Sequence, residues 1–246
     1  MQHLAIFAAL QWECRPILRH LRKARREKIG GLTTWSGEVA GARITVVKTG
    51  MGLARAAEAA RALRRAHAVD VFFSSGCAGA LAGDLLPGDL VIADAVQFAG
   101  DEALPVDEPQ RSRALIAAQR AGLQPRLGCF LSAARVLATA EEKRAAAAGG
   151  AIAVEMESAA IARVAAEHGI AFAAARSILD PAETRLAQSG RFVDPSTGAL
   201  RPGALVAHVL RHPSSVSDLL GMKTMMDAAE ASLGQFFRYF LASFSR

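Results

Sequence analysis

Aromatic residues are scarce in this chain: 6% of 246 positions, with two tryptophans, one tyrosine and eleven phenylalanines. Cysteine is scarcer still. Cys14, Cys77 and Cys129 are odd in number and far apart, and no C-x-x-C occurs. That argues against a disulfide framework or a zinc site and fits reduced thiols in a cytoplasm. Long apolar runs are missing as well, although 52% of residues are hydrophobic and the mean hydropathy is +0.22. Asp70, Asp84, Asp89 and Asp94 interrupt them, so none reaches the roughly 18–20 residues of a membrane span. Met1-Gln2-His3 offers no basic n-region and Leu4–Leu10 is short for a signal h-region, so no secretory leader is expected. What is present is enough apolar residue, spread among 21% charged positions, for one large ordered domain with a sizeable core.

Acid is in deficit. The net charge is +6 and the isoelectric point about 9.8. Much of the excess falls in one stretch: Arg15, Arg19, Arg22, Lys23, Arg25, Arg26 and Lys28. Ile17, Leu18 and Leu21 sit among them at helical spacing, which predicts an amphipathic helix over Cys14–Arg26 with a basic outer face. A solvated face is the plain reading and contact with an anionic membrane surface the alternative. Specific nucleic-acid binding is disfavoured, because no aromatic is interleaved with the cations.

Short β-rich runs alternate with alanine-rich stretches. Leu4–Leu10, Ile44–Lys48, Val71–Ser75, Leu90–Val96, Gly128–Ser132, Ile152–Met156 and Phe172–Ser177 read as strands covered on both faces. Helices are predicted over Ala54–Ala66, Ser112–Ala121, Ala140–Ala148, Glu157–His168 and Pro202–Leu210. The alternation implies an α/β fold of three layers, α/β/α, with a mostly parallel, mixed central sheet. Residues 1–246 read as a single domain with a C-terminal helical extension from about 203. Leu179–Gly203 is polar and turn-rich, as a lid or binding element would be. Ser215–Phe244 carries Leu219, Met222, Met226, Ala229, Leu233, Phe236, Phe240 and Phe244 on one helical face. That face suits docking on the core or between subunits, or a surface for an apolar substrate or bilayer.

Ligands of such folds gather at the carboxyl ends of strands. Gly50-Met51-Gly52 and Gly76-Cys77-Ala78-Gly79 both follow strands, yet neither continues as G-x-G-x-x-G or a P-loop. Val154-Glu155-Met156-Glu157-Ser158 is sharper. A hydrophobic strand runs into two carboxylates, which costs desolvation unless something uses them. Glu157 alone would read as an acid favoured at a helix N-terminus. Two further strands end on acids, Glu13 and Asp180, so three carboxylates are expected to converge on one cleft.

With these motifs the chain resembles the nucleoside phosphorylase and nucleosidase family, over roughly residues 4–185. The resemblance rests on Ala9–Glu13, Thr49-Gly50-Met51-Gly52, Ser75–Ala80, Pro87–Val91, Val154–Glu157 and Arg176–Asp180. It implies that Glu157 binds the ribose hydroxyls with Glu155 beside it, and that Met156 packs under the sugar. Asp180 would assist protonation of the purine, Glu13 would activate water, and Cys77, Ala78 and Gly79 would line the site. Val136 and Leu137 stand where the nucleosidases carry an aromatic to stack on adenine. Leu179 replaces a serine, Cys77 replaces another, and Ser74 stands where bacterial purine phosphorylases hold a phosphate-binding arginine.

Hydrolysis is therefore favoured over phosphorolysis, with water or phosphate as co-substrate and no metal or organic cofactor. A narrower resemblance, over Trp12–Pro16, Phe192–Pro202, Leu210–Pro213 and the long helix, is to hopanoid-associated members. It implies adenine release from adenosylhopane, a lipid-linked purine nucleoside, by a cytoplasmic homodimer with peripheral contact at the inner membrane surface. Phosphorolysis, methylthioadenosine/S-adenosylhomocysteine cleavage and a non-catalytic membrane-binding module remain the alternatives.

Overall fold

A computed structural model describes residues 1–98, 100–184 and 215–244. The chain runs β1 (His3–Ala8), α1 (Gln11–Leu18), β2 (Arg22–Ile29), β3 (Leu32–Val39), β4 (Ala42–Lys48), α2 (Leu53–Ala66), β5 (Val71–Ala80) and β6 (Leu90–Phe98). It continues β7 (Leu104–Pro105), α3 (Glu108–Arg120), β8 (Arg126–Ser132), α4 (Ala140–Ala147), β9 (Ala151–Glu155), α5 (Ser158–Glu167), β10 (Ala171–Asp180) and α6 (Ser215–Ala242).

The sheet is mixed. β1 lies parallel between β4 and β5, and β5 is parallel to β10. The far half of β5 turns to an antiparallel partner, β9, while β10 pairs antiparallel with β6. Because β6–β8 and β8–β9 also pair, strands β5, β10, β6, β8 and β9 close into a ring. This brings the ends of β5, β9 and β10 together, and that is where the acids lie.

Two cores flank the sheet. On one face α2 presents Ala56, Ala59, Ala60 and Leu63, and α5 presents Ile161, Ala162, Val164 and Ala165, against Phe7 and Phe72. Small side chains at helical spacing let these helices sit close to the strands. On the other face α1, α3 and α6 pack on Leu4, Ile6, Phe73 and Ile92. Phe73 is surrounded by Phe236, Phe237 and Phe240, with ring centroids 6.1, 6.1 and 4.4 Å away. Three layers result, as expected from the alternation.

The structure corrects the sequence reading at several points. The helix expected over Cys14–Arg26 ends at Leu18, and the basic stretch becomes β2, the outermost strand, exposed from Arg22 to Lys28. A Gly30-Gly31 turn, with φ of 58° and 82°, folds β2 back on β3. Gly-Gly is a hairpin connection, and a charged edge strand discourages pairing with other chains. β3 was not anticipated either. β5 continues through Gly76–Gly79, so those glycines lie in a strand and not in a loop after it.

The long C-terminal helix divides in character: Ala229, Leu233, Phe236, Phe237, Phe240, Leu241 and Phe244 are core, whereas Met222, Met225 and Met226 are half-buried. The Ala229–Phe244 part is thus docked on the core, and only the first part can serve an apolar substrate. The helix expected over Pro202–Leu210, most of the Leu179–Gly203 segment and the 192–213 motifs lie outside the described residues. No described helix is long and apolar enough to cross a membrane.

Candidate active site

Glu13 sits in the first turn of α1 and reaches back, Oε2 accepting the Leu10 N–H at 2.8 Å. This is the acidic half of a capping box. Its Oε1 accepts the N–H of Cys77 at 2.8 Å, which ties α1 to the middle of β5. Such close approach requires glycine at 76. A Cβ there would stand 2.6 Å from Glu13 Oε1 and 2.8 Å from Arg176 Nη1, and the φ of +139° disfavours any other residue.

Glu155 and Glu157 are adjacent in sequence but differ in task. Glu155 Oε2 accepts the N–H of Glu157 at 3.0 Å and of Ser158 at 2.8 Å, capping α5, and accepts Arg176 Nη2 at 2.5 Å. Its other oxygen accepts Ser132 Oγ, which also takes the Ala159 N–H at 2.8 Å. Glu155 is thereby consumed by the fold, against the expectation that it faces substrate. With α5 capped by its neighbour, Glu157 is released from capping. Its Oε1 accepts the Gly52 N–H at 2.9 Å, and Oε2 stands 3.7 Å from Arg176. The glycine loop Gly50–Gly52, with φ of 79° and 101° at its two glycines, so meets the Val-Glu-Met-Glu element directly.

Arg176, from β10, is the piece the sequence reading left without a role. It is 1% exposed and lies among Glu13, Glu155 and Glu157. Its Nη2 also donates to Ser74 Oγ at 2.9 Å and Ser158 Oγ at 3.1 Å. Ser74 is fully buried in this network. Burying one guanidinium beside three carboxylates satisfies the rule that interior charge must be paired. Burial pushes the Glu13 carboxyl above its ordinary range, opposed by Arg176 and the N–H groups of Cys77, Leu10 and Ala9. Burial and the neighbouring Glu155 charge push Glu157 up to about 7, opposed by Arg176 and the Gly52 N–H. The Cys77 thiol is pushed well up, by burial first and the Glu13 charge next, so it is no thiolate nucleophile.

Asp180 ends β10 beside the second glycine of β5. A Cβ at Gly79 would lie 3.2 Å from Asp180 Oδ2. Burial raises its carboxyl, and among the described residues the charged neighbour acting on it is a cation, which opposes the rise. Lys143 of α4, 1% exposed, donates to Asp180 Oδ2 and to the Pro181 carbonyl at 2.6 Å. This lysine, buried by the fold in a helix that reads as a solvated Ala-Glu-Lys-Arg run, was missed.

The three expected acids thus occupy two neighbourhoods, Glu13 and Glu157 around Arg176 and Asp180 against Lys143. Gly76–Gly79 bridges them along β5, with Cys77 and Ala78 between. Met156 is half-buried between the two glutamates, its N–H 3.3 Å from Glu157 Oε2. Val136 is 47% exposed, and Leu137 packs on the small cluster that includes Leu131 and Val154. Arg135 pairs with Glu142 at 2.7 Å. No group of three metal-ligating side chains occurs among the described residues.

Residues 3–199 match the model of the phosphorylase superfamily. Among curated proteins, the 5′-methylthioadenosine/S-adenosylhomocysteine nucleosidase of Actinobacillus succinogenes is 29% identical over 195 residues, covering 72% of this chain and 85% of that protein. The namesake from Aeromonas salmonicida is 30% identical over 95 residues, and there the match spans only 41% of its length and 39% of this chain. In three dimensions the nucleosidase of Neisseria meningitidis superposes with a TM-score of 0.79 at 19% identity, covering 99% of this chain and 100% of its own. A futalosine hydrolase mutant of Helicobacter pylori gives 0.77 at 19%, covering 98% of both. At such identities the likeness concerns the fold, whereas the family match extends over most of the chain: this protein belongs to the phosphorylase superfamily.

Proposed function

We propose that this protein cleaves the N-glycosidic bond of an adenine nucleoside with water as the acceptor. The observation that carries the reading is the packing of Glu13 and Glu157 around Arg176, with Asp180 further along the strand of that arginine. Rupture of a ribosyl C–N bond develops positive charge on the sugar, as in glycoside cleavage. Glu157, accepting hydrogen bonds from the ribose hydroxyls, puts negative charge beside it. Glu13 takes a proton from the attacking water, and burial, which raises its carboxyl, makes it a stronger base than an exposed glutamate. Asp180 delivers a proton to the departing purine. No metal or organic cofactor enters the step. The relatives named as methylthioadenosine and S-adenosylhomocysteine nucleosidases support hydrolysis. So does the depth of Ser74, which lies beneath Arg176 and offers no cation of its own.

The substituent at the 5′ position is proposed to be apolar and lipid-linked, as in adenosylhopane. Met222, Met225 and Met226, half-buried, and Leu220, 61% exposed, are unusual for a surface helix and support this. The basic edge strand β2 would then meet anionic headgroups. Incubating the protein with adenosine, methylthioadenosine and adenosylhopane, and following free adenine by chromatography, tests the proposal. Adenine from all three, fastest from the lipid nucleoside, is expected. Release from none would sink the catalytic reading, and equal rates would remove the lipid assignment.

A further inference from the structure

We propose that Lys143 positions Asp180 and is the source of the proton that Asp180 passes to the leaving purine. The inference rests on the nucleosidase reading above and names a residue which that reading does not use. Three observations carry it. First, the Lys143 ammonium is essentially inaccessible, and among the described residues its acceptors are the Asp180 carboxylate and the carbonyl of the next residue, Pro181. One amine therefore grips both sides of the Asp180–Pro181 junction. Second, Asp180 is laid against bare backbone at Gly79, so its carboxylate is fixed between a strand and a lysine. Third, a buried lysine–carboxylate pair contributes little to stability relative to apolar packing, since desolvation offsets the attraction. Structure alone gives weak reason for it.

The chemistry supplies a reason. A carboxylate paired with an ammonium is ionised and can only accept hydrogen bonds. It cannot protonate a purine until it has itself received a proton. As the C1′–N bond breaks, its electron pair goes to the base, whose basicity rises towards that of an amine. The proton then leaves Lys143 Nζ, crosses Asp180 and ends on a purine nitrogen, leaving a neutral lysine. Water loses its proton to Glu13. After product release solvent carries that proton back to Lys143, and the cycle closes with no net proton gained or lost. Among the described residues, the titratable groups bearing on this pair are few. Lys143 from α4 acts on Asp180 directly. Cys77 from β5 also feels Asp180, and Cys77 is in turn under Glu13 of α1, Arg176 of β10 and Glu230 of α6.

The test compares two leaving groups in the full-length enzyme. Adenosine needs a proton on its base; 4-nitrophenyl β-riboside releases a phenolate that does not. Lys143→Met keeps an apolar stem of similar length and leaves Asp180 as a lone buried acid. The alkaline limb of its kcat profile with adenosine should move about two pH units towards acid, so that above the parent's own limb kcat is down roughly 10²-fold. KM, and kcat for the nitrophenyl riboside, should stay within about threefold. Lys143→Arg keeps the cation but not the readily given proton. It should lose adenosine turnover as deeply while sparing the nitrophenyl riboside, and it carries the test should the methionine variant not fold. Equal losses on both substrates at every pH, or an unmoved alkaline limb, would reduce Lys143 to a structural pair and overturn the inference. A parent enzyme that releases no adenine would overturn the nucleosidase reading and this one with it, an outcome visible before any variant is made.

Discussion

Glu157 and Asp180 lie in the same molecule, are both buried, and both have carboxyls raised by burial, but their neighbours differ in sign. Glu157 has another glutamate two residues away and shares Arg176 with it and with Glu13. Asp180, among the described residues, is paired with Lys143. In the first neighbourhood more carboxylate than cation is packed together, so negative charge is stored where a cationic sugar would develop. In the second, charge is balanced and a proton is held between two groups that can exchange it. The difference teaches that burial alone does not assign an acid–base role; the sign of the partner does.

The largest expected effect is at the balanced site. Asp180→Asn preserves shape and hydrogen bonding but cannot pass a proton. Adenosine turnover should fall by about two to four orders of magnitude with KM changed far less; turnover within about threefold of the parent would remove Asp180 from the chemistry. At the charge-rich site, Glu157→Gln should act on both constants, raising KM and lowering kcat by about tenfold or more each, because ribose binding and cation stabilisation are lost together. A change in kcat alone would merge the two neighbourhoods into one kind.

Sequence patterns made one neighbourhood more legible than the other. Val-Glu-Met-Glu and the two glycine stretches are local runs; the ring of β5, β10, β6, β8 and β9 sets Val-Glu-Met-Glu beside Gly76–Gly79, and the Gly52 N–H joins the other stretch to Glu157. Arg176 was visible in its strand, but nothing in Arg176–Asp180 says that its side chain turns inward to three glutamates. Lys143 was hidden for a plainer reason. Ala-Glu-Glu-Lys-Arg-Ala is what a solvated helix looks like, and its partner lies 37 positions away. The β2–β3 hairpin was lost because β2 is exposed along almost its whole length. It therefore lacks the alternation of a half-buried strand, while Ile17, Leu18 and Leu21 imitate a helix leading into it. Gly30-Gly31 was the available signal.

The comparison also predicts a pH dependence of stability. Glu157 has a folded-state pKa of about 7 against an ordinary 4.5, so the folded protein binds more protons than the unfolded chain between those values. Its contribution is complete below about 4.5 and is lost as pH rises through about 7. The ligand-free protein should melt at progressively lower temperature across that window, and Glu157→Gln should flatten the slope. A melting temperature that rises over the same interval would contradict the assignment. Smaller effects lie along α6. Phe240→Ala, in the cluster around Phe73, should cost about 3–5 kcal/mol of stability, with the KM of the folded fraction unchanged. Met222→Ser, outside that cluster, should leave stability alone and weaken turnover of adenosylhopane a few-fold more than that of adenosine.

The central claim is that Glu13 directs water, and not phosphate, onto the sugar. It is tested most directly by mass analysis of the sugar released from adenosine in phosphate-free buffer and again with phosphate added. Free ribose at the same rate in both is predicted; turnover that appears only with phosphate and yields ribose 1-phosphate would contradict it.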